Sequence, residues 1–465
     1  MRKTVLLLLW ISTLIFAQLS VKNQSELTYW ETDENWILEN WLEAGYQVAD
    51  LEFGLRLDIF NPPANYIYDV TRLREEMDNY HPGYWFAAYH ADSWSIRLGH
   101  QYETFGRGLV LRAYENRDLR VDNSFRGGAS TLEMEGVTVK LLAGQMRDKY
   151  QQFDSWSYGG DVEWRLAESI ALGGSILHNP DSEQWNGPAW AARANYIVDV
   201  IDLYAEYAGL GESNARALYG AAVLGLEDMT LTVEYKEYRD YLLAHTDSDA
   251  VYNTGPAVVR QHSYTLLNRH PLELNMADEK GWQFEYSYFA IEDLEITLNY
   301  ARSNHLSGKK VYEEYYAEVH HYWNDFEWIG AVALQYDKSG SKYFTPLLDV
   351  QYNLDERNLL HLIVQHQHNY NFDKSEYDTE SFTFEYTHSP DYSLALVTEY
   401  SNSDQVLASV DRSWWTYGLL TWNFMDNQQL SLLYGSRQAG YVCVGGVCRL
   451  EPEFEGLEIK LNLRY

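Results

Sequence analysis

Residues 99–128, GHQYETFGRGLVLRAYENRDLRVDNSFRGG, hold five arginines, Arg107, Arg112, Arg117, Arg120 and Arg126, among Glu103, Glu115, Asp118 and Asp122. Guanidinium and carboxylate groups form strong charge-assisted pairs, and Gly106 and Gly108 permit tight backbone bends. Two readings follow for Arg107, Arg112, Glu115, Arg117, Arg120 and Asp122. They are an inward loop that narrows or plugs a pore, or a salt-bridge network with a structural job only. A second stretch, HSYTLLNRHP at 262–271, offers Asn268, Arg269 and His270, expected to contact the first cluster from the same outer side. A third, CVGGVC at 443–448, holds the two cysteines of the chain. Gly445 and Gly446 suit a two-residue hairpin turn that sets Cys443 opposite Cys448, where a disulfide forms in an oxidising compartment.

Catalysis has weaker support. His366 and His368 share a strand face and His320 is next to His321, but no nucleophile accompanies them. No three or four ligands converge in the linear sequence, so no metal and no cofactor is expected.

The elements that would position these groups are strands. The chain ends FEGLEIKLNLRY: Leu457, Ile459, Leu461, Leu463 and Tyr465 alternate with Glu458, Lys460, Asn462 and Arg464. One face is apolar and the other polar. Ending on such a strand suits a barrel that must close its sheet. Leu461, Leu463 and terminal Tyr465 resemble the signal read by the outer-membrane barrel-assembly machinery. At the front, Arg2 and Lys3, an apolar run from Val5 to Phe16 and small Ala17 read as a signal peptide over residues 1–17. No cysteine follows the run, so a lipoprotein anchor is not expected.

The same alternation returns at Leu51 to Ile59, Met229 to Tyr235, Leu294 to Tyr300, Phe382 to Tyr386, Tyr392 to Tyr400 and Leu430 to Tyr434. Short turns are expected at Asp50, Asp92, Glu135, Glu168, Asp199, Asp228, Asp293, Asp325, Asp355, Asp391 and Asp426. With the first strand at about Leu19, these predict a single antiparallel transmembrane β-barrel of about 22–24 strands over residues 18–465. Longer connections fall at the other end. Asn61–Gly83 is read as a loop with a helical turn capped by Asp69, and Arg239–Gly281 as a loop that caps or enters the barrel.

Composition agrees. Aromatics are 15% of the chain, with 39 Tyr and 16 Trp, the usage of rings at membrane interfaces. Mean hydropathy is -0.42, which excludes a helical membrane protein. A net charge of -33 makes nucleic acid a poor partner and favours cations or neutral solutes in a lumen; a solvated acidic exterior is the plainer reading.

GRGLVLRAYENRDLRVDN, TLLNRHP and CVGGVCRLEPEFEG, in that order, resemble an uncharacterised family of outer-membrane proteins classed as a domain of unknown function. The resemblance implies a barrel in the bacterial outer membrane, in contact with its lipid, and carries no activity. Two functions remain: a channel or gated transporter for a small solute, and a non-conducting plugged barrel that serves as a surface or secretion partner platform. A barrel enzyme is the remote third. No plug domain or energy-coupling box precedes the first strand, which argues against a receptor driven from the inner membrane.

Overall fold

The computed structural model describes residues 17–32, 34–61, 80–148, 152–182, 185–244, 250–403 and 412–465. The chain is a closed antiparallel barrel of 24 strands. Each barrel strand pairs with the next, and the first, Ala17–Trp30, closes on the last, Phe454–Arg464. At that seam Glu26 lies opposite Lys460 and Leu27 opposite Ile459. The two-residue period therefore continues across the closure, charge on one face and hydrocarbon on the other.

The strand Leu51–Asn61 shows how alternation makes the wall. Leu51, Phe53 and Leu55 are exposed on the outer surface, whereas Arg56 and Asp58 are buried. An exposed apolar face is stable only against lipid, and inward charges need partners in the lumen. At one end the strands join through eleven short turns that contain each of the acidic residues named above. Ala49, Asp199, Asp293 and Asn324 sit there at positive φ, a conformation that Asn and Asp tolerate better than most residues. Ring pairs such as Tyr89 with Trp94, Trp323 with Phe326 and Phe326 with Tyr352 border this end, as an aromatic girdle does.

At the other end, among the described residues, three long connections turn inward: 102–124, 240–277 apart from 245–249, and 438–453. Their flanks are more regular than expected. Strands Trp94–Gln101 and Phe125–Met134 take up both ends of 99–128, and Met229–Arg239 and Asp278–Ile291 shorten the second loop. Likewise, Tyr80–His90 already includes Pro82 and Gly83. The helical turn expected at Asp69 and residues 1–16 of the expected signal peptide lie outside the described residues, while Ala17, the last residue of that expected peptide, begins the first strand.

The core lies inside the barrel. Phe105, Leu109, Val110 and Leu111 of the first loop and Tyr241, Leu243, Tyr252 and Val258 of the second pack on Phe125, Met146, Leu177, Tyr219 and Tyr238 of the wall. Wall side chains alone cannot fill a lumen this wide. Each large side chain buried there contributes about 1.5–3 kcal/mol.

Candidate functional site

The two inward loops bond to each other as one unit inside the barrel. Arg112 N donates to Tyr252 O at 2.8 Å, and Thr254 N to Gly108 O at 3.1 Å. Between these, the Asn253 amide donates to Leu109 O (3.1 Å) and Tyr241 O (2.8 Å), and its oxygen accepts from Leu243 N (2.9 Å). The GRG turn meets the wall at Glu206, whose Oε2 accepts from Arg107 N at 2.8 Å and from Tyr204 Oη at 2.6 Å. Gly106 and Gly108 have φ of 55° and 84°. A Cβ at Gly106 would lie 2.6 Å from the Glu206 carboxylate, so both the conformation and the close approach need glycine. The Arg107 guanidinium covers the Tyr204 ring at 4.9 Å, and that of Arg112 covers Tyr114 at 4.9 Å.

Arg117, Arg120, Glu115 and Asp122 join a network whose other half lies on the wall. Arg56 pairs with Asp58 (2.6 Å), Glu115 (2.8 Å) and Asp122 (3.0 Å). Arg147 reaches Asp122 at 2.7 Å and bonds Gly83 O. Arg117 pairs with Glu43 and Glu115 and donates to Gln24 Oε1 at 2.8 Å; Arg120 pairs with Glu39 at 3.2 Å. Burial would raise the Asp122 pKa, but Arg147 and Arg56 outweigh it and hold the carboxyl below its ordinary value. Arg126 lies instead on a wall strand, where it bonds Gln145 and covers Phe153. The wall partners Glu39, Glu43, Arg56, Asp58, Arg147 and Glu206 were not singled out from sequence. Their signal was available: each is a charge set inside an alternating strand.

A strap, Arg260–His270, crosses to the opposite wall. Arg260 pairs with Glu285 at 2.6 Å and lies 3.8 Å from Glu318. His262 Nε2 meets Glu314 Oε1 at 2.8 Å, and Tyr264 donates to Asp349 at 3.2 Å. The strap contains a 3-10 turn, Leu266–Asn268. Leu266 N donates to Gln365 (3.0 Å), while Gln367 and Gln335 donate to the carbonyls of Leu266 (2.9 Å) and Leu267 (3.0 Å).

The contact expected between Asn268, Arg269, His270 and the first cluster is made by Val251–Thr254 instead. Asn268 bonds His262 O, Arg269 bonds Glu399 at 2.6 Å and Ala439 O, and His270 stacks on Tyr343 at 3.4 Å. Shared position at one end of a barrel this wide does not decide which wall a loop reaches. Burial, with Arg269 nearby, lowers the His270 pKa to about 4, against the opposing pull of Asp337.

The third inward loop is the hairpin Gly440–Val444 and Val447–Glu451, with Cys443 opposite Cys448 and a disulfide at a Cα separation of 4.2 Å. Its tip meets the second inward loop: Leu274 N donates to Gly446 O at 2.9 Å. His320 bonds Glu327, His321 accepts from Trp328, and His366 and His368 bond Glu380 and Asp378. These pairs bring together no nucleophile and base. Leu461 and Leu463 lie on the closing strand, opposite Ser25 and Asn23, and Tyr465 exchanges two backbone bonds with Val21 (2.9 and 3.0 Å).

Solved structures share this fold at low identity. The Escherichia coli P pilus tip assembly intermediate PapC-PapD-PapK-PapG aligns with a TM-score of 0.57 and 10% identity over 96% of this chain, which spans 60% of that chain. The P pilus usher (PapC) translocation pore aligns at 0.47 and 11% over 97% of this chain and 99% of that one. Pseudomonas aeruginosa OpdQ aligns at 0.36 and 11% over 83% and 97%. The first of these likenesses carries the fold alone, that of a large outer-membrane type of barrel. No curated protein matches the chain. A family profile described as "Family of unknown function (DUF6029)" matches residues 11–465, and the chain belongs to that family.

Proposed function

We propose that this protein is an outer-membrane channel for a small solute, closed at rest by its plug, with the strap Arg260–His270 as the moving part. The observation that carries this reading is the difference between the two fastenings. The 102–124 loop and its partner segment sit in an extensive apolar core, whose separation exposes hydrocarbon to water. The strap buries Tyr264, Leu266 and Leu267 in a much smaller apolar cluster and is otherwise held by ion pairs and amide contacts, whose groups regain water on release, so that it separates at smaller net cost.

Release of the strap uncovers Glu285, Glu314, Glu318, Asp349 and Glu399, so the open path favours cations and neutral solutes over anions. The protein performs no catalysis in this reading. It is exported by its N-terminal signal and inserted by the barrel-assembly machinery. The size of the apolar core favours a second reading, a permanently closed barrel that displays its loops to a partner.

Single-channel conductance of the refolded barrel in planar bilayers separates the two. A channel gives rare openings in the unaltered protein and frequent, cation-preferring openings when Arg260 and Arg269 are replaced by Gln. A folded variant that stays closed rejects the gate and leaves the platform.

A further inference from the structure

The strap is seated in a patch with the features of a receptor. Its floor is Tyr316, Ala331, Ala333, Leu347 and Ile363, on which Tyr264 and Leu267 pack. The two alanines leave depth for a leucine side chain. Around this floor stand Gln335, Gln365 and Gln367, each at most 3% exposed. Gln367 also bonds the His270 ring at the end of the strap, but toward Tyr264–Asn268 the three amides bond main chain. They read the N–H and C=O of Leu266 and the C=O of Leu267, groups that every peptide carries. Asp349 adds one side-chain contact, to the Tyr264 hydroxyl.

The amides are oriented by the wall itself. The Gln335 amide nitrogen also lies within hydrogen-bond distance of Tyr312 Oη (3.2 Å) and Glu314 Oε1 (3.0 Å), and Gln367 donates to Thr345 Oγ1 (2.9 Å). Such preorganisation lowers the cost of binding. The strap nevertheless fits incompletely. Among the described residues, Gln335 Oε1 and Glu314 Oε2 are buried with no hydrogen-bond donor, so an occupant that supplies donors there binds better than the strap does.

We infer that this patch is a peptide-binding site, held in cis by Tyr264–Asn268, whose ligand in trans is a short peptide of the pattern aromatic-x-Leu-Leu. In naming a ligand for the gate, it rests on the channel reading. Main-chain readout supplies affinity, and the buried seats of Tyr264, Leu266 and Leu267 supply selection. The tethered strap competes at high effective concentration, which keeps the barrel closed until a better-fitting peptide arrives.

The test uses the full chain refolded in detergent, with residues 263–268 replaced by Gly and Ser, and a fluorescent peptide HSYTLLNRHP read by anisotropy. The peptide is expected to bind the replaced barrel about tenfold or more tighter than the unaltered one, where the strap competes. Adding Gln365→Leu and Gln367→Leu to the replaced barrel should reverse that gain. A scrambled peptide should not bind. Absence of binding to a folded replaced barrel, equal binding by the scrambled peptide, or indifference to the glutamine changes would each overturn the proposal. If the replacement does not fold, Tyr264→Ala with Leu267→Ala weakens the cis occupant in an otherwise intact chain and carries the same expectations. Conductance separates the two readings. Peptide binding that leaves the barrel closed upholds the site and rejects the gate, whereas a replaced barrel that conducts but binds no peptide rejects the site and upholds the gate.

Discussion

The side-chain amide of Asn253 donates to the carbonyl of Leu109 at 3.1 Å, joining two inward loops 144 residues apart in the chain. The same side chain serves Tyr241 and Leu243. Asn253→Ala therefore leaves three buried backbone groups without their partner, a loss of about 3 kcal/mol. Limited proteolysis should cut 102–124 or 240–277 in the variant while the barrel itself stays resistant. Equal resistance of both loops in the two proteins would show that the plug does not depend on this amide.

Arg107 and Arg117 differ in what their side chains do. Arg117 pairs with Glu43 and Glu115 and bonds Gln24, whereas the bond of Arg107 to Glu206 uses its backbone. Arg117→Ala should raise conductance more than Arg107→Ala, and the double variant most of all. An unchanged conductance in the folded double variant would exclude the cluster as a constriction.

His270 should make strap docking sensitive to acid. Its pKa falls from the ordinary 6.5 to about 4 in the folded protein, so between these values the unfolded or released strap binds a proton that the docked strap does not. Docking is complete above about pH 6.5 and weakens as pH falls toward 4, by about 3 kcal/mol in all. The groups facing the ring are Tyr343, Asp337, Arg269, Gln367 and Asn369. Open probability should rise over that window, and His270→Gln should flatten the rise. An equally steep rise in the variant would assign the acid response to another group.

The Cys443–Cys448 disulfide closes a very short loop, and its removal should cost the hairpin about 2 kcal/mol. Mass spectrometry of unreduced peptides should show the two residues linked. Because Gly446 O receives Leu274 N, Cys443→Ser with Cys448→Ser should also speed hydrogen exchange near Leu274. Exchange there at the unaltered rate would confine the disulfide's effect to its own loop.

Tyr465 completes the seam through two backbone bonds with Val21. Deleting it should lower the yield of barrel that migrates as the compact form in unheated gels, through lost closure, lost recognition by the assembly machinery, or both. Refolding in detergent isolates closure. A deletion that refolds as well as the full chain but assembles poorly in cells assigns the loss to recognition.

The wall was legible from local pattern. A strand between lipid and lumen must alternate, so Leu51 to Ile59 and Leu457 to Tyr465 announce their faces without reference to any other residue. The acidic turns at Asp50 or Asp199 mark where each hairpin reverses, and the spacing in CVGGVC was enough to oppose two cysteines. The 99–128 segment stood out because its charge density exceeds that of its surroundings. What it would touch did not stand out.

Only the tertiary structure paired Arg56 with Asp122, brought Glu206 to the GRG turn, and sent Arg269 to Glu399 rather than to the first cluster. The reason is physical. A strand's partner is its neighbour in sequence, and the side-chain period settles the register. A loop folded into a wide lumen is placed by complementarity with wall residues tens to hundreds of positions away, and no periodicity in the chain encodes those contacts.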